Sequence, residues 1–126
     1  MIGYVCLGTN DYDRALEFYD QLAPALGARK LWSTETMTAW GQSREQAALC
    51  VVKPWNKEPA SAGNGTMFAL KLDSKNRVDA AHKKALLLGA CDEGGPGPRG
   101  GHGFYGAYVR DLDGNKLCFY LAAPSS

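Results

Sequence analysis

Several features of common protein classes are missing from this sequence. It has two histidines and four cysteines in 126 residues and no CxxC pair, which argues against a zinc knuckle or a thioredoxin-type redox site. Its apolar runs are short, such as Ala85 to Leu88, so we expect no membrane-spanning segment. The 14 basic and 13 acidic residues form no block of one sign, so we expect no nucleic acid partner and no disordered tail.

The first residues give no sign of secretion. Residues 1–5 contain no basic segment and lead into no long apolar stretch, so we expect no signal peptide. We therefore expect Cys6, Cys50, Cys91 and Cys118 to be reduced thiols in the cytoplasm. The default role of such free cysteines is that of small buried hydrophobes.

The first half of the chain has the order strand, helix and three strands. Residues 2–9 are apolar and extended in character, and Asn10 or Asp11 offers a helix N-cap. Pro24 should end or kink the helix near Leu22. The apolar face of the helix is formed by Ala15, Phe18, Tyr19, Leu22 and Leu26. Three extended segments follow at residues 29–33, 37–40 and 47–53.

The second half repeats this order after a linker. Two prolines and two glycines lie within residues 54–65, which predicts a linker at residues 55–64. The linker would join module 1 (residues 1–54) to module 2 (residues 65–123) in one domain, residues 1–126. The helical face of module 2 is formed by Val78, Ala81, Ala85 and Leu88. A glycine-rich stretch, residues 94–103, precedes the last two predicted strands, 104–110 and 116–121.

A constant offset relates the two halves. Asp11 and Ser74 are both N-cap candidates and lie 63 residues apart, and the apolar helical positions keep that offset. The dipeptide Leu49-Cys50 recurs as Leu117-Cys118. Two copies of one unit indicate a duplication and not a solenoid. We therefore predict an α+β fold in which two βαβββ modules form curled mixed sheets around one cavity, with the helices outside.

Three stretches carry a resemblance to a known family. They are residues 7–19 (LGTNDYDRALEFY), 78–90 (VDAAHKKALLLGA) and 103–117 (GFYGAYVRDLDGNKL). The sequence resembles the vicinal oxygen chelate superfamily, which includes glyoxalase I, the extradiol dioxygenases and the bleomycin- and fosfomycin-resistance proteins. Leu112 replaces the proline usual in the family's Asp-Pro-Asp-Gly-Asn turn. The resemblance also implies a homodimer.

The resemblance implies a site for one divalent metal, with ligands on the first and last strands of each module. Those positions fall on Tyr4 and Met67, and on or beside Cys50 and Cys118. Because side chains alternate along a strand, we predict that these four point into one cavity, away from the helices, and that their neighbours face the helices: Val5, Leu49, Phe68 and Leu117. Phenol, thioether and thiol groups suit divalent ions poorly, so we expect no cofactor and a metal-free pocket. Two thiolates and a thioether are a possible set for a soft ion such as Cu(I), if they converge.

Other candidate residues lie outside that set. His102 lies in a glycine-rich stretch that is a possible lid, where it would act as an acid or base, and a solvated loop histidine is the alternative. Arg99 would bind an anionic group, and Tyr105 would either contact the ligand or pack in the core. His82 is expected to be structural. The predicted binding residues are Tyr4, Cys50, Met67, Arg99, Tyr105 and Cys118, and the catalytic candidates are His102 and Tyr4.

Two function classes remain open. The first is a protein that binds or sequesters a small organic molecule, which an apolar and metal-free cavity favours. The second is a metal-dependent or metal-independent lyase, isomerase or dioxygenase of the glyoxalase type, which the resemblance favours. Fold alone does not decide the chemistry.

Overall fold

The computed structural model describes residues 1–122, and they form two four-stranded sheets and two helices. Module 1 consists of β1 (Tyr4–Gly8), α1 (Tyr12–Leu22), β2 (Arg29–Ser33), β3 (Met37–Gly41) and β4 (Ala48–Val52). Module 2 consists of β5 (Met67–Lys71), α2 (Lys75–Leu87), β6 (Cys91–Arg99), β7 (Phe104–Arg110) and β8 (Lys116–Leu121). The predicted α+β fold with two βαβββ modules is confirmed. The predicted end of module 2, residue 123, lies outside the described residues.

Both sheets have the same topology. The strand orders are β1-β4-β3-β2 and β5-β8-β7-β6, and the first pair in each order is parallel while the others are antiparallel. Cys6 lies opposite Cys50 in the parallel pair of module 1, and Ala69 lies opposite Cys118 in that of module 2. Cys6 and Ala69 are 63 residues apart and hold equivalent positions on the first strands of the two modules. The offset found in the sequence therefore relates equivalent positions in the structure.

Local sequence signals set the ends of both helices. The Asp11 carboxylate accepts the Arg14 amide, and the Ser74 hydroxyl accepts the Arg77 amide, so each side chain caps a helix. After α1, residues 23–26 form a single 3₁₀ turn that contains the proline. The predicted N-caps and the predicted end of α1 are confirmed.

Most of the glycine-rich stretch of module 2 belongs to a strand that the sequence analysis did not locate. β6 runs to Arg99 and pairs with β7, with register shifts between Asp92 and Gly94 and between Gly94 and Gly97. β6 is an edge strand, and edge strands tolerate proline because one side of their backbone needs no partner. Only residues 100–103 form the turn to β7.

Both modules contribute to one continuous core. Its buried members come from both helices and from the helix-facing sides of both sheets: Leu7, Ala15, Phe18, Tyr19, Leu22, Ala23, Trp40, Leu49, Val51, Leu72, Val78, Ala81, Ala85, Ala107, Val109, Leu117 and Phe119. Within this core, α1 packs against β4, and α2 packs against β6, β7 and β8. The opposite side of each sheet carries no helix.

A buried carboxylate joins the two modules. Asp111, in the turn between β7 and β8, accepts a hydrogen bond of 2.6 Å from the Tyr19 hydroxyl of α1. Asn115 from the same turn donates to the Gly8 carbonyl at 3.0 Å and to the Asp111 carboxylate at 3.1 Å. Burial and the adjacent Asp111 raise the pKa of Tyr19, which keeps its phenol protonated as the donor.

Candidate functional site

Each sheet has one side without a helix, and we call these sides the module 1 face and the module 2 face. The module 1 face is formed by Tyr4, Cys6, Trp32, Ala39 and Cys50. The module 2 face is formed by Met67, Ala69, Tyr108, Lys116 and Cys118. Side chains alternate along strands, and Val5, Leu49, Phe68 and Leu117 belong to the core side as predicted. The predicted placement of Tyr4 and Met67 away from the helices is confirmed.

Aromatic and thiol groups dominate the module 1 face. Tyr4 is 54% exposed and meets the edge of Trp32, with ring centroids 6.0 Å apart. The Arg44 guanidinium also lies 6.0 Å from the centroid of Trp32. Cys50 is completely buried, and its register partner on β1 is the exposed Cys6. This face thus combines an edge-to-face aromatic pair with two adjacent thiols.

Burial changes the acidity of the paired thiols. Burial and, to a smaller extent, the neighbouring Cys6 thiol together raise the pKa of Cys50 to about 12. Burial also raises the pKa of Cys6, although the neighbouring Cys50 thiol opposes this. Both groups are therefore neutral thiols near pH 7, and neither is an activated nucleophile.

Cations gather around one tyrosine on the module 2 face. The Arg99 guanidinium lies 5.6 Å and the Lys116 ammonium 5.5 Å from the centroid of the Tyr108 ring. Both are half-buried, and neither forms an ion pair with any residue of the described part of the chain. Cys118 is buried, and its register partner on β7 is Tyr108. The arrangement leaves positive charge next to an aromatic ring without a carboxylate to balance it.

The remaining candidate residues are placed elsewhere. Tyr105 faces α2, where its hydroxyl donates to the Asp79 carboxylate, so it lies away from Cys118 and the module 2 face. His102 is exposed in the turn between β6 and β7. His82 is buried at 6% exposure and lies 3.1 Å from the Asp92 carboxylate, in agreement with a structural role.

A cavity of about 520 Å³ lies between the two modules. Its lining comes from the edge strands β1 and β5 and from the core side of module 1, and includes Val5, Trp40, Leu49, Met67, Phe68 and Leu70. Of the six predicted binding residues, only Met67 lines it. The structure thus does not bring all six predicted residues to one cavity.

The four positions implied as metal ligands do not fit a divalent ion. Tyr4 and Met67 are exposed, and Cys50 and Cys118 belong to different sheets with different neighbours. Within residues 1–122, no three His, Cys, Asp or Glu side chains are placed to share an ion. Phenol, thioether and neutral thiol groups are weak ligands for such ions, and we derive no chemistry through a metal.

The comparisons with known proteins identify the family. Residues 1–119 match the model of the glyoxalase/bleomycin resistance protein/dioxygenase superfamily. The chain belongs to this superfamily. A glyoxalase/bleomycin resistance protein from Albidiferax ferrireducens T118 is 30% identical with a TM-score of 0.88, over 97% of this chain and 98% of that chain. No curated protein matches the sequence.

Two more distant superfamily structures share the fold alone. Lactoylglutathione lyase from Agrobacterium tumefaciens is 22% identical with a TM-score of 0.70, over 97% of this chain and 93% of that chain. TioX from Micromonospora sp. ML1 is 20% identical with a TM-score of 0.67, over 100% of this chain and 98% of that chain. No helix of residues 1–122 is long and apolar enough to span a membrane.

Sequence reasoning missed the residues that surround the two buried cysteines. Cys6 follows Tyr4 by two positions, so strand alternation alone would have placed it on the same face. Tyr108 and Lys116 had no comparable signal, because their place beside Cys118 depends on the register of β7 against β8. That register became visible only in the structure.

Proposed function

We propose that this superfamily member binds a small organic anion that contacts the module 2 face. The observation that supports this most directly is the pair of cations over the Tyr108 ring, Arg99 and Lys116, which lack an ion-pair partner in residues 1–122. A guanidinium can bind a carboxylate or phosphate through two parallel hydrogen bonds. The ligand class is therefore an anion with an apolar or aromatic part that contacts the ring.

The position of Arg99 favours this assignment. Its guanidinium donates to the Gly95 carbonyl at 2.6 Å and to the Pro98 carbonyl at 3.2 Å, which fixes the group over the ring before a ligand arrives. Those two bonds leave further N–H donors free, since a guanidinium has five. A preorganised donor loses less conformational entropy on binding than a flexible one.

We propose that the protein acts as a homodimer in the cytoplasm. Superfamily members commonly bind small molecules and dimerise. Both faces are open in one chain, and the unpaired edges of β1 and β5 flank the apolar cavity between the modules. A second copy that covers these edges would also enclose a ligand held on an open face. Light scattering at micromolar concentration tests this, and a monomer would contradict it.

The binding proposal is tested with the fluorescent aromatic anion anilinonaphthalene sulfonate. We expect saturable binding, and we expect the Arg99→Ala/Lys116→Ala variant to lose about tenfold to a hundredfold in affinity, because charged hydrogen-bond donors are removed. The matched controls are Arg44→Ala, which removes the arginine of the other face, and Lys83→Ala, which removes an exposed lysine of α2. Equal losses in all variants would contradict the proposal.

A lyase, isomerase or dioxygenase activity of the glyoxalase type is the second candidate, and superfamily membership is what favours it. His102 and Tyr4 would then be the acid–base candidates, and both are exposed. One experiment distinguishes this enzyme activity from anion binding without a metal. It is elemental analysis of protein purified without added metal, followed by titration with nickel, zinc, iron and copper. We expect no stoichiometric divalent metal, and one ion per chain would favour the enzyme.

A further inference from the structure

Cys6 and Cys50 form a pair of adjacent thiols on the module 1 face. They lie directly opposite each other on the parallel strands β1 and β4, whose backbones are about 4.8 Å apart. In-register residues of parallel strands point to the same side, so the two thiols lie next to each other. Cys6 is exposed, whereas Cys50 has no exposed surface. One thiol is thus open to solvent and the other lies behind it.

The surroundings of this pair are apolar. Cys50 packs in a small buried cluster with Leu31, Ala39 and Ala48. No further His, Cys, Asp or Glu of residues 1–122 completes a group of three with the pair. Such surroundings disfavour the charged thiolate, as the raised pKa values of both thiols indicate. A cation that needs thiolate ligands would be bound weakly here, and disulfide exchange, which begins from a thiolate, would be slow.

A ligand suited to this pair must bind two thiols and leave no net charge. We propose that Cys6 and Cys50 bind trivalent arsenic, supplied as arsenous acid, as a cyclic dithiol adduct. Two As–S bonds form and two As–O bonds break, while each thiol proton leaves with a hydroxyl group as water. Arsenic stays trivalent, so no oxidant or reductant takes part. The product is neutral, which avoids the cost of burying a charge.

The difference in exposure gives the order of the two steps. Arsenous acid condenses first with the exposed thiol of Cys6, and this places the arsenic atom beside Cys50. The second condensation is intramolecular, so it proceeds at a high effective concentration of the second thiol. The exposed thiol of Cys91 and the buried thiol of Cys118 have no second cysteine opposite them in their strand pairs.

Sodium arsenite is the probe, and native mass spectrometry with arsenic quantification is the readout, on protein kept reduced with a phosphine. We expect one arsenic atom per chain. Cys6→Ser should lower the affinity by roughly a hundredfold, since the chelate is lost. Because Cys6 is exposed, this variant keeps the core intact, and circular dichroism verifies its fold. Cys50→Ala should have the same effect on binding.

The controls distinguish a chelate from single-thiol binding. Cys91→Ser removes an exposed thiol and Cys118→Ala a buried one, and both should bind arsenite like the unmodified protein. Dithiothreitol should remove the arsenic, whereas mercaptoethanol at the same thiol concentration should not. Unchanged binding by Cys6→Ser, or loss of binding in Cys91→Ser or Cys118→Ala, would overturn the proposal. The anion-binding proposal stays unaffected either way, since its residues lie on the other face.

Discussion

Cys50 and Cys118 hold equivalent places in the two modules, yet their neighbours differ. Each is buried on the helix-free side of the last strand of its module, between the first strand and the third. The rows across the strands read Cys6–Cys50–Ala39 in module 1 and Ala69–Cys118–Tyr108 in module 2. The same backbone therefore presents two adjacent thiols on one face and a thiol next to a phenol on the other.

This difference shows how a duplicated fold separates architecture from chemistry. The core side of each sheet must stay apolar, because both modules bury it in a common core. The helix-free sides need not stay apolar for this reason. Two differences in the row of residues across the strands therefore give the two faces different chemical groups. The cations over Tyr108 follow the same logic, since they stand on a face that no helix covers.

The largest effect is expected where the modules should behave alike, in the core. Leu117→Ala should lower the free energy of unfolding by about 4 kcal/mol and Leu49→Ala by about 2 kcal/mol, within the usual range for such truncations. The reason is that Leu117 is fully enclosed, whereas Leu49 is 8% exposed and lines the cavity between the modules. Urea denaturation of both variants measures this, and a larger loss for Leu49→Ala would reverse the ranking.

An intermediate effect should follow from restoring the missing thiol of module 2. Ala69→Cys places an exposed thiol opposite Cys118, as Cys6 stands opposite Cys50. We expect the arsenite stoichiometry to rise from one to two atoms per chain, with the second site about a hundredfold tighter than a single thiol. Ala60→Cys, which adds a thiol in the linker, is the control. If Ala69→Cys and Ala60→Cys bind arsenite equally well, the position opposite Cys118 does not determine the second site.

The smallest effect concerns stability at alkaline pH. An unfolded cysteine ionises near pH 8.5, whereas Cys50 in the folded protein ionises near 12. Its contribution to stability is therefore complete below pH 8.5 and is lost as the pH rises towards 12. Cys50→Ala should flatten the decline of the unfolding free energy over this interval. Cys118→Ala should flatten it less, because burial raises the pKa of Cys118 while Tyr108, Arg99 and Lys116 lower it.

Local signals made much of the fold predictable. The helix starts at Asp11 and Ser74 and the end of α1 were predictable because each depends on residues within or next to one helix. The offset of 63 residues was predictable because the two modules repeat the same order of elements. The strand β6 was missed because glycine and proline favour turns locally, and pairing with β7 outweighs that preference in the structure.

The arrangement of the faces was harder to predict. Alternation within a strand correctly separated Tyr4 from Val5 and Met67 from Phe68. Alternation could not show that Tyr108, and not Tyr105, lies beside Cys118. That placement depends on the register of β7 against β8, which the turn ending in Asn115 sets. Nor does an apolar pattern show that both modules bury their helix-facing sides in one continuous core, which had to come from the structure.

The bond between Tyr19 and Asp111 has a consequence for folding. It joins groups 92 residues apart in the chain, so α1 is not locked in place until the last hairpin has formed. Contacts of such sequence separation slow folding, because loop-closure entropy is lost before the contact compensates for it. Module 1 made alone would also leave the Tyr19 hydroxyl without its acceptor and the apolar side of its sheet half covered. The two modules repeat one pattern, but each needs contacts with the other to complete its fold.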